Sequence, residues 1–277
     1  MVDNRTGGER RPPRGGTGDR ANDPQRRERR SPRPQASASG PDRARRAHPQ
    51  HGAADDDRNE PPLPREIEAK QLAPDVRREL STLDRANADA VARHLVAAGE
   101  LIDEDPEAAL SHARAARARS GRIAAVREAV GIAAYQCGDW SQAIAELRAA
   151  RRMGSKSPLL PLIADCERGL GRPERALELA RGPEAAKLTG DEADEMRIVT
   201  AGARADLGQL EQALNVLSTP QLDPTRTGTI AARLFYAYAD TLLALDRGDE
   251  AVQWFLHAAE ADVEGVTDAE DRVSELG

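Results

Sequence analysis

The chain has 277 residues, a net charge of −7, 31% charged residues and only 3% aromatics. Seven aromatics (Tyr135, Trp140, Phe235, Tyr236, Tyr238, Trp254, Phe255) are too few for one large globular core. The two cysteines, Cys137 and Cys166, lack CxxC spacing, which argues against a disulfide framework. No run approaches the ~18 apolar residues of a membrane span, so a soluble, cytoplasmic protein is expected.

Residues 1–60 hold no aromatic, Leu or Ile, and a single Val. Such a segment cannot bury enough apolar surface to offset the entropy of ordering, and it is predicted to be a disordered Arg/Pro/Gly-rich arm. Residues 1–54 carry 13 Arg against six acids, a balance of +7, whereas the remainder is at −14. The arm is expected to be a solubilising spacer; alternatively it makes loose phosphate contacts with RNA, without base stacking for want of aromatics, or folds back on the acidic body. PPLP at 61–64 opens a linker predicted over 61–74.

Folding is predicted to begin near Pro74, where Val76, Leu80 and Leu83 recur at helical spacing. From there to the end the apolar period stays near 3.6 and nothing alternates as a strand does. The helix AVREAVGIAAYQC contains Gly131, which costs ~1 kcal/mol relative to alanine unless another helix comes very close. Gly138 suits the turn that follows. Beyond it Trp140, Ala143, Ile144, Leu147 and Ala150 fall on one helical face, with Asp139 and Gln142 spaced as a capping box. Ala143 then faces the first helix of the hairpin, and Ala150 faces the next hairpin.

A small residue following a turn recurs at Ala108, Ala143, Ala176, Ala213 and Ala251, at intervals of 35, 33, 37 and 38. The longer intervals predict extended loops near 181–194 and 218–229. VTDAEDRVSEL near the end is predicted to form a capping helix, with Thr267 and Glu270 as a capping box.

A period near 34 with small residues at the crossing resembles the tetratricopeptide repeat (TPR). Gly131, Gly138, Ala143, Leu147 and Ala150 carry the resemblance, as do Tyr238, Ala239, Ala251, Phe255 and Ala258. RIAAVREAVGIAAY, DCERGLGRPERAL and RLFYAYADTLLALDRG are also similar to segments of actinobacterial TPR proteins with an Arg/Pro-rich leader. The resemblance implies an all-α, right-handed α-solenoid of about five TPR-like hairpins over 75–277, closed by the capping helix. It also implies a scaffold that holds an extended peptide along the first helix of each pair.

Register places Arg93, Glu100, Glu128, Tyr135, Gln136, Asp165, Arg168, Glu195, Asp206, Arg233, Tyr236 and Asp240 on that lining. Glu128, Tyr135, Asp165, Glu195, Asp206, Tyr236 and Asp240 are the candidate contacts for a basic or polar partner segment. A second cluster, Arg114, Arg117, Arg119, Arg122, Arg127, Arg148, Arg151 and Arg152, falls largely near second-helix C-termini, where it favours the helix dipole. It is alternatively a basic ridge for RNA or an acidic partner.

The five histidines (His48, His51, His94, His112, His257) lack zinc-helix spacing, and Asp55–Asp57 lacks the Gly and distal Glu of a calcium loop. GxSxG, Walker A and GxGxxG motifs are missing. The expectation is a non-enzymatic adaptor that binds a protein or peptide, with no catalytic residues, metal, cofactor or membrane partner. The alternative is an RNA- or ribosome-associated factor.

Overall fold

The computed structural model describes residues 60–277, so the arm predicted at 1–60 lies outside the described residues except for Glu60. Those residues form twelve α-helices and no strand. Helix α1 (Pro74–Leu80) precedes five antiparallel pairs: α2 (Arg85–Leu101) with α3 (Pro106–Arg119), α4 (Ala124–Gln136) with α5 (Trp140–Arg152), α6 (Leu159–Gly169) with α7 (Pro173–Ala180), α8 (Asp191–Asp206) with α9 (Leu210–Ser218), and α10 (Thr229–Ala244) with α11 (Gly248–Ala261). Each pair packs on the next, and α12 (Ala269–Leu276) closes the stack against α11.

Local chemistry sets the ends of these helices. Asp84, Asp105 and Asp139 each accept a bond from the backbone N–H three residues on, at 3.0, 3.0 and 3.1 Å, filling an orphan donor of the first turn. Gly138, Gly171 and Gly208 end α4, α6 and α8 at φ of 71, 70 and 71°. After each, the next N–H reaches back five residues: Asp139 to Ala134, Arg172 to Glu167 and Gln209 to Arg204, all at 2.9 Å. The fifth hairpin makes the same bond, Arg247 to Leu242 at 3.0 Å, but puts Asp246 at the left-handed position with φ 59°. Aspartate tolerates that conformation better than most side chains.

The crossing residue is the fourth after the N-cap in every second helix. Ala143, Ala176, Ala213 and Ala251 occupy it and are at most 1% exposed. In the first hairpin the residue is Ala109, fully buried, rather than the expected Ala108, which is half-buried. Pro106 is the first helical residue there, so Asp105 is the cap and the count shifts by one. The first interval becomes 34. Gly131 lies against Leu147: a Cβ on it would stand 2.6 Å from Leu147 Cδ2. Ala150 shares a core cluster with Leu159, Ile163 and Cys166 of the next hairpin. Alanine and glycine are thus the contacts themselves, since a larger side chain would hold the axes apart.

Other local expectations change. Asp139 caps α5, but the Gln142 carboxamide accepts from Arg114 instead of closing a box. Thr267 caps nothing: its N–H and hydroxyl both donate to Asp262 at 2.7 Å, and Asp268 is the N-cap of α12. The expected 181–194 loop is shorter, because α8 begins at Asp191 with three acids in its first turn, which favour the helix dipole.

The predicted linker, 61–74, packs on the body. Ile67 is buried with Val96 and Ala97 of α2, and Arg93 donates to the carbonyls of Ile67 (2.9 Å) and Pro64 (3.4 Å). Leu63, Ile67 and Leu72 supply an apolar face that a count of prolines overlooks. No described helix is long and apolar enough to cross a membrane.

Candidate functional site

The first helices of hairpins two to five are joined by polar rungs between neighbouring repeats. On α4, the Tyr135 hydroxyl donates to Asp165 Oδ2 of α6 at 2.6 Å. Arg168, one turn along α6, donates to Asp165 Oδ1 at 2.8 Å and to both oxygens of Asp206 on α8 at 2.8 and 3.2 Å. Arg233 of α10 donates to Glu195 of α8. The Arg168 guanidinium lies over Gly202, where a Cβ would collide with it. Each rung joins residues about 30 to 38 apart in sequence, close to one repeat.

Burial, then the Asp165 hydrogen bond and charge, raise the Tyr135 pKa well above the phenolic range. Burial raises the Glu195 carboxyl, as does the nearby Asp165, while the Arg233 guanidinium pulls the other way. Burial opposes the charge on Arg168, but Asp206 and Asp165 outweigh it and hold its pKa above the ordinary value.

Glu128 of α4 accepts hydroxyl bonds from Ser155 (2.7 Å) and Ser157 (2.6 Å) in the loop before α6. Between these groups lies a cavity of about 710 Å³ with Ile132, Leu162, Ile198 and Val199 among its walls. A second cavity of about 570 Å³ shares Glu128, Ile132 and Ser157 with it and extends to Leu72 and Val76.

Of the seven candidate contacts, Glu128, Tyr135, Asp165 and Glu195 line the first cavity together with Gln136. Asp206 lines a separate hollow beside Trp140 and Arg168. Tyr236, half-buried, and Asp240, exposed, lie near α12. Arg272 there stands 3.3 Å from the Tyr236 hydroxyl, 3.7 Å from Asp240 and 5.0 Å from the Phe255 ring centre. Arg93 is spent on backbone carbonyls, and Glu100 is exposed. The apolar walls and the two serines were not anticipated. Ile132, Leu162 and Ile198 carry helical spacing that also fits core positions, and sequence pattern alone does not separate the two.

The arginine cluster is largely paired. Arg117 and Arg127 converge on Glu146 at 3.1 and 2.8 Å, and Arg148 meets Glu167 at 2.7 Å. Arg119 holds Glu60 at 2.6 Å, Arg114 lies 3.6 Å from Asp139, and Arg151 pairs with Glu184. Arg122 and Arg152 stand exposed. Three of the carboxylates, on Glu60, Glu146 and Glu167, are largely buried, so the pairs with Arg119, Arg117, Arg127 and Arg148 tie neighbouring elements together.

Five stacked hairpins, a crossing alanine in each and a ladder along the first helices describe one architecture. The described residues form an α-solenoid of helical hairpins, the architecture that the tetratricopeptide resemblance of the sequence implies. No family model matches the sequence, and no curated protein matches it. A solved structure does: the crystal structure of YrrB, described as a TPR protein with an unusual peptide-binding site. It aligns over 70% of this chain and 95% of that one, at 19% identity and a TM-score of 0.41.

Proposed function

We propose that the protein is a non-enzymatic scaffold that holds an extended segment of a partner protein along α4, α6, α8 and α10. The cavity among these helices carries the reading: apolar side chains of Ile132, Leu162 and Ile198 line it together with hydrogen-bonding groups from successive repeats. That combination suits an extended peptide, which offers side chains to apolar pockets and polar groups to the rim. The Tyr135 phenol and the Cys166 thiol are each pushed toward their protonated forms, chiefly by burial. The RNA alternative finds less support, because most of the arginine cluster already neutralises carboxylates.

The test is affinity capture from host lysate with the full chain and with Leu162→Glu, each with and without RNase. Leu162 is half-buried at the cavity wall, so circular dichroism would first establish that the variant folds. A protein retained by the parent, lost by the variant and indifferent to RNase supports the groove. Recovery that depends on RNA and ignores the variant makes the arginine-rich surface the binding element.

A further inference from the structure

We infer that the groove selects a cationic side chain: a partner segment that sets an arginine or lysine among Glu128, Asp165 and Glu195, with an apolar neighbour against Ile132 and Leu162. The inference rests on the groove reading above and names the chemistry of its occupant.

Charge complementarity is the first argument. Four carboxylates line the cavity (Glu128, Asp165, Glu192, Glu195) against two guanidiniums, Arg168 and Arg233. Arg168 is divided between Asp165 and Asp206, which lies outside the cavity, so the interior is short of positive charge. Glu128 accepts from two neutral hydroxyls, which bring it no counter-charge and leave further acceptor sites open. An incoming carboxylate or phosphate would meet this excess at close range and be repelled.

The chain's own handling of the same surface is the second argument. At the C-terminal end, Arg272 of α12 reaches the Tyr236 hydroxyl of α10, stands 3.7 Å from Asp240, and lies over the Phe255 ring of α11. One repeat earlier, Arg168 of α6 covers Gly202 of α8 between two aspartates. In both places a planar guanidinium fills the first-helix face, donating at its edges while its body rests on carbon. The 710 Å³ cavity offers similar surroundings, tyrosine and carboxylates beside apolar walls, with room left over. A long aliphatic stem would lie along Ile132 and Leu162 while its charged head reaches the carboxylates.

Three fluorescein-labelled 12-residue peptides, alternating Leu with Arg, Leu with Gln and Leu with Glu, would be titrated with the full chain by anisotropy. The Arg peptide is expected to bind at least about tenfold tighter than the Gln peptide, and the Glu peptide not at all. Glu128→Gln with Glu192→Gln should weaken the Arg peptide by about tenfold. Glu211→Gln with Asp249→Gln, exposed acids on α9 and α11 outside the cavity, should leave it unchanged. Equal binding of the Arg and Gln peptides, both lost in Leu162→Glu, would overturn the cationic selection and leave the groove reading standing. Equal losses in the two double variants would show general attraction to an acidic body and also overturn it. If none of the peptides binds, the groove reading fails first and takes this inference with it.

Discussion

The close approach of α4 and α5 is open to direct measurement, because the chain offers its own control. Gly99 on α2 is exposed, and a Cβ there would meet nothing within 4 Å. Gly99→Ala should therefore show the helix-propensity gain alone, up to ~1 kcal/mol and less near the helix end. Gly131→Ala carries the same gain but places its Cβ 2.6 Å from Leu147 Cδ2, 2.7 Å from Cγ and 3.2 Å from the backbone nitrogen. Comfortable carbon contacts lie near ~3.5–4.0 Å, so Leu147 or α5 must retreat by about 1 Å. Leu147 is fully buried, and the backbone contact means that a rotamer change does not suffice. Overpacking of this kind costs ~1–3 kcal/mol. Gly131→Ala should thus fall about 1–3 kcal/mol below Gly99→Ala and be neutral to destabilised by about 2 kcal/mol against the parent. Urea unfolding followed at 222 nm, with unchanged slopes, gives both numbers. If Gly131→Ala gains as much as Gly99→Ala, small residues do not mark the helix crossing, and the register argument built on them collapses.

Further outcomes follow from buried ionisable groups. His94 and His112, both buried, meet Nδ1 to Nδ1 at 3.0 Å beside Glu60 and Arg119, and burial holds both below the ordinary histidine value of 6.5. The unfolded chain then binds more protons, so their contribution is complete above that value and is lost as pH falls from it toward the folded pKa. Urea midpoints should drop between pH 7.5 and 5.5 and drop less in His94→Gln; equal slopes in the two proteins would remove the pair as the cause. Glu146→Ala leaves Arg117 and Arg127 facing each other without their shared carboxylate. A wholly buried pair broken this way costs ~3–5 kcal/mol, and because both arginines retain solvent access about 2 kcal/mol is expected, read from the same urea curves. An effect below about 0.5 kcal/mol would class the bridge with ordinary surface pairs. The Cys166 thiol is fully buried and pushed up to about 12 by burial and then by Asp165 and Glu167. It should stay inert to Ellman's reagent at pH 8 until urea unfolds the chain; prompt modification in the folded state would contradict that burial.

Helix positions and turns were legible from local pattern. Asp139, Gly138 and the Trp140–Ala150 face act within five residues of chain, so their spacing alone reports them. Where local rules competed, spacing erred. Pro106 moved the crossing from Ala108 to Ala109, Asp262 took the Thr267 donors, and Arg114 took Gln142. Four of the seven proposed groove residues share one cavity, since helical register alone sorts a helix into faces. Register does not say what covers a face. Arg272 of α12 stands beside Tyr236 and Asp240, and six of the eight clustered arginines pair with carboxylates, while Arg122 and Arg152 stay exposed.

The sequence by itself determined that the body is a run of helical hairpins with small residues at their crossings. Periodicity and caps are interactions between near neighbours in the chain. Only the tertiary structure decided that 61–74 packs on the folded body, that Tyr135, Asp165, Arg168 and Asp206 form one ladder, and that apolar side chains share a cavity with it. Those pairings join residues about one repeat apart. They depend on how each hairpin is seated on the next, which no local spacing encodes.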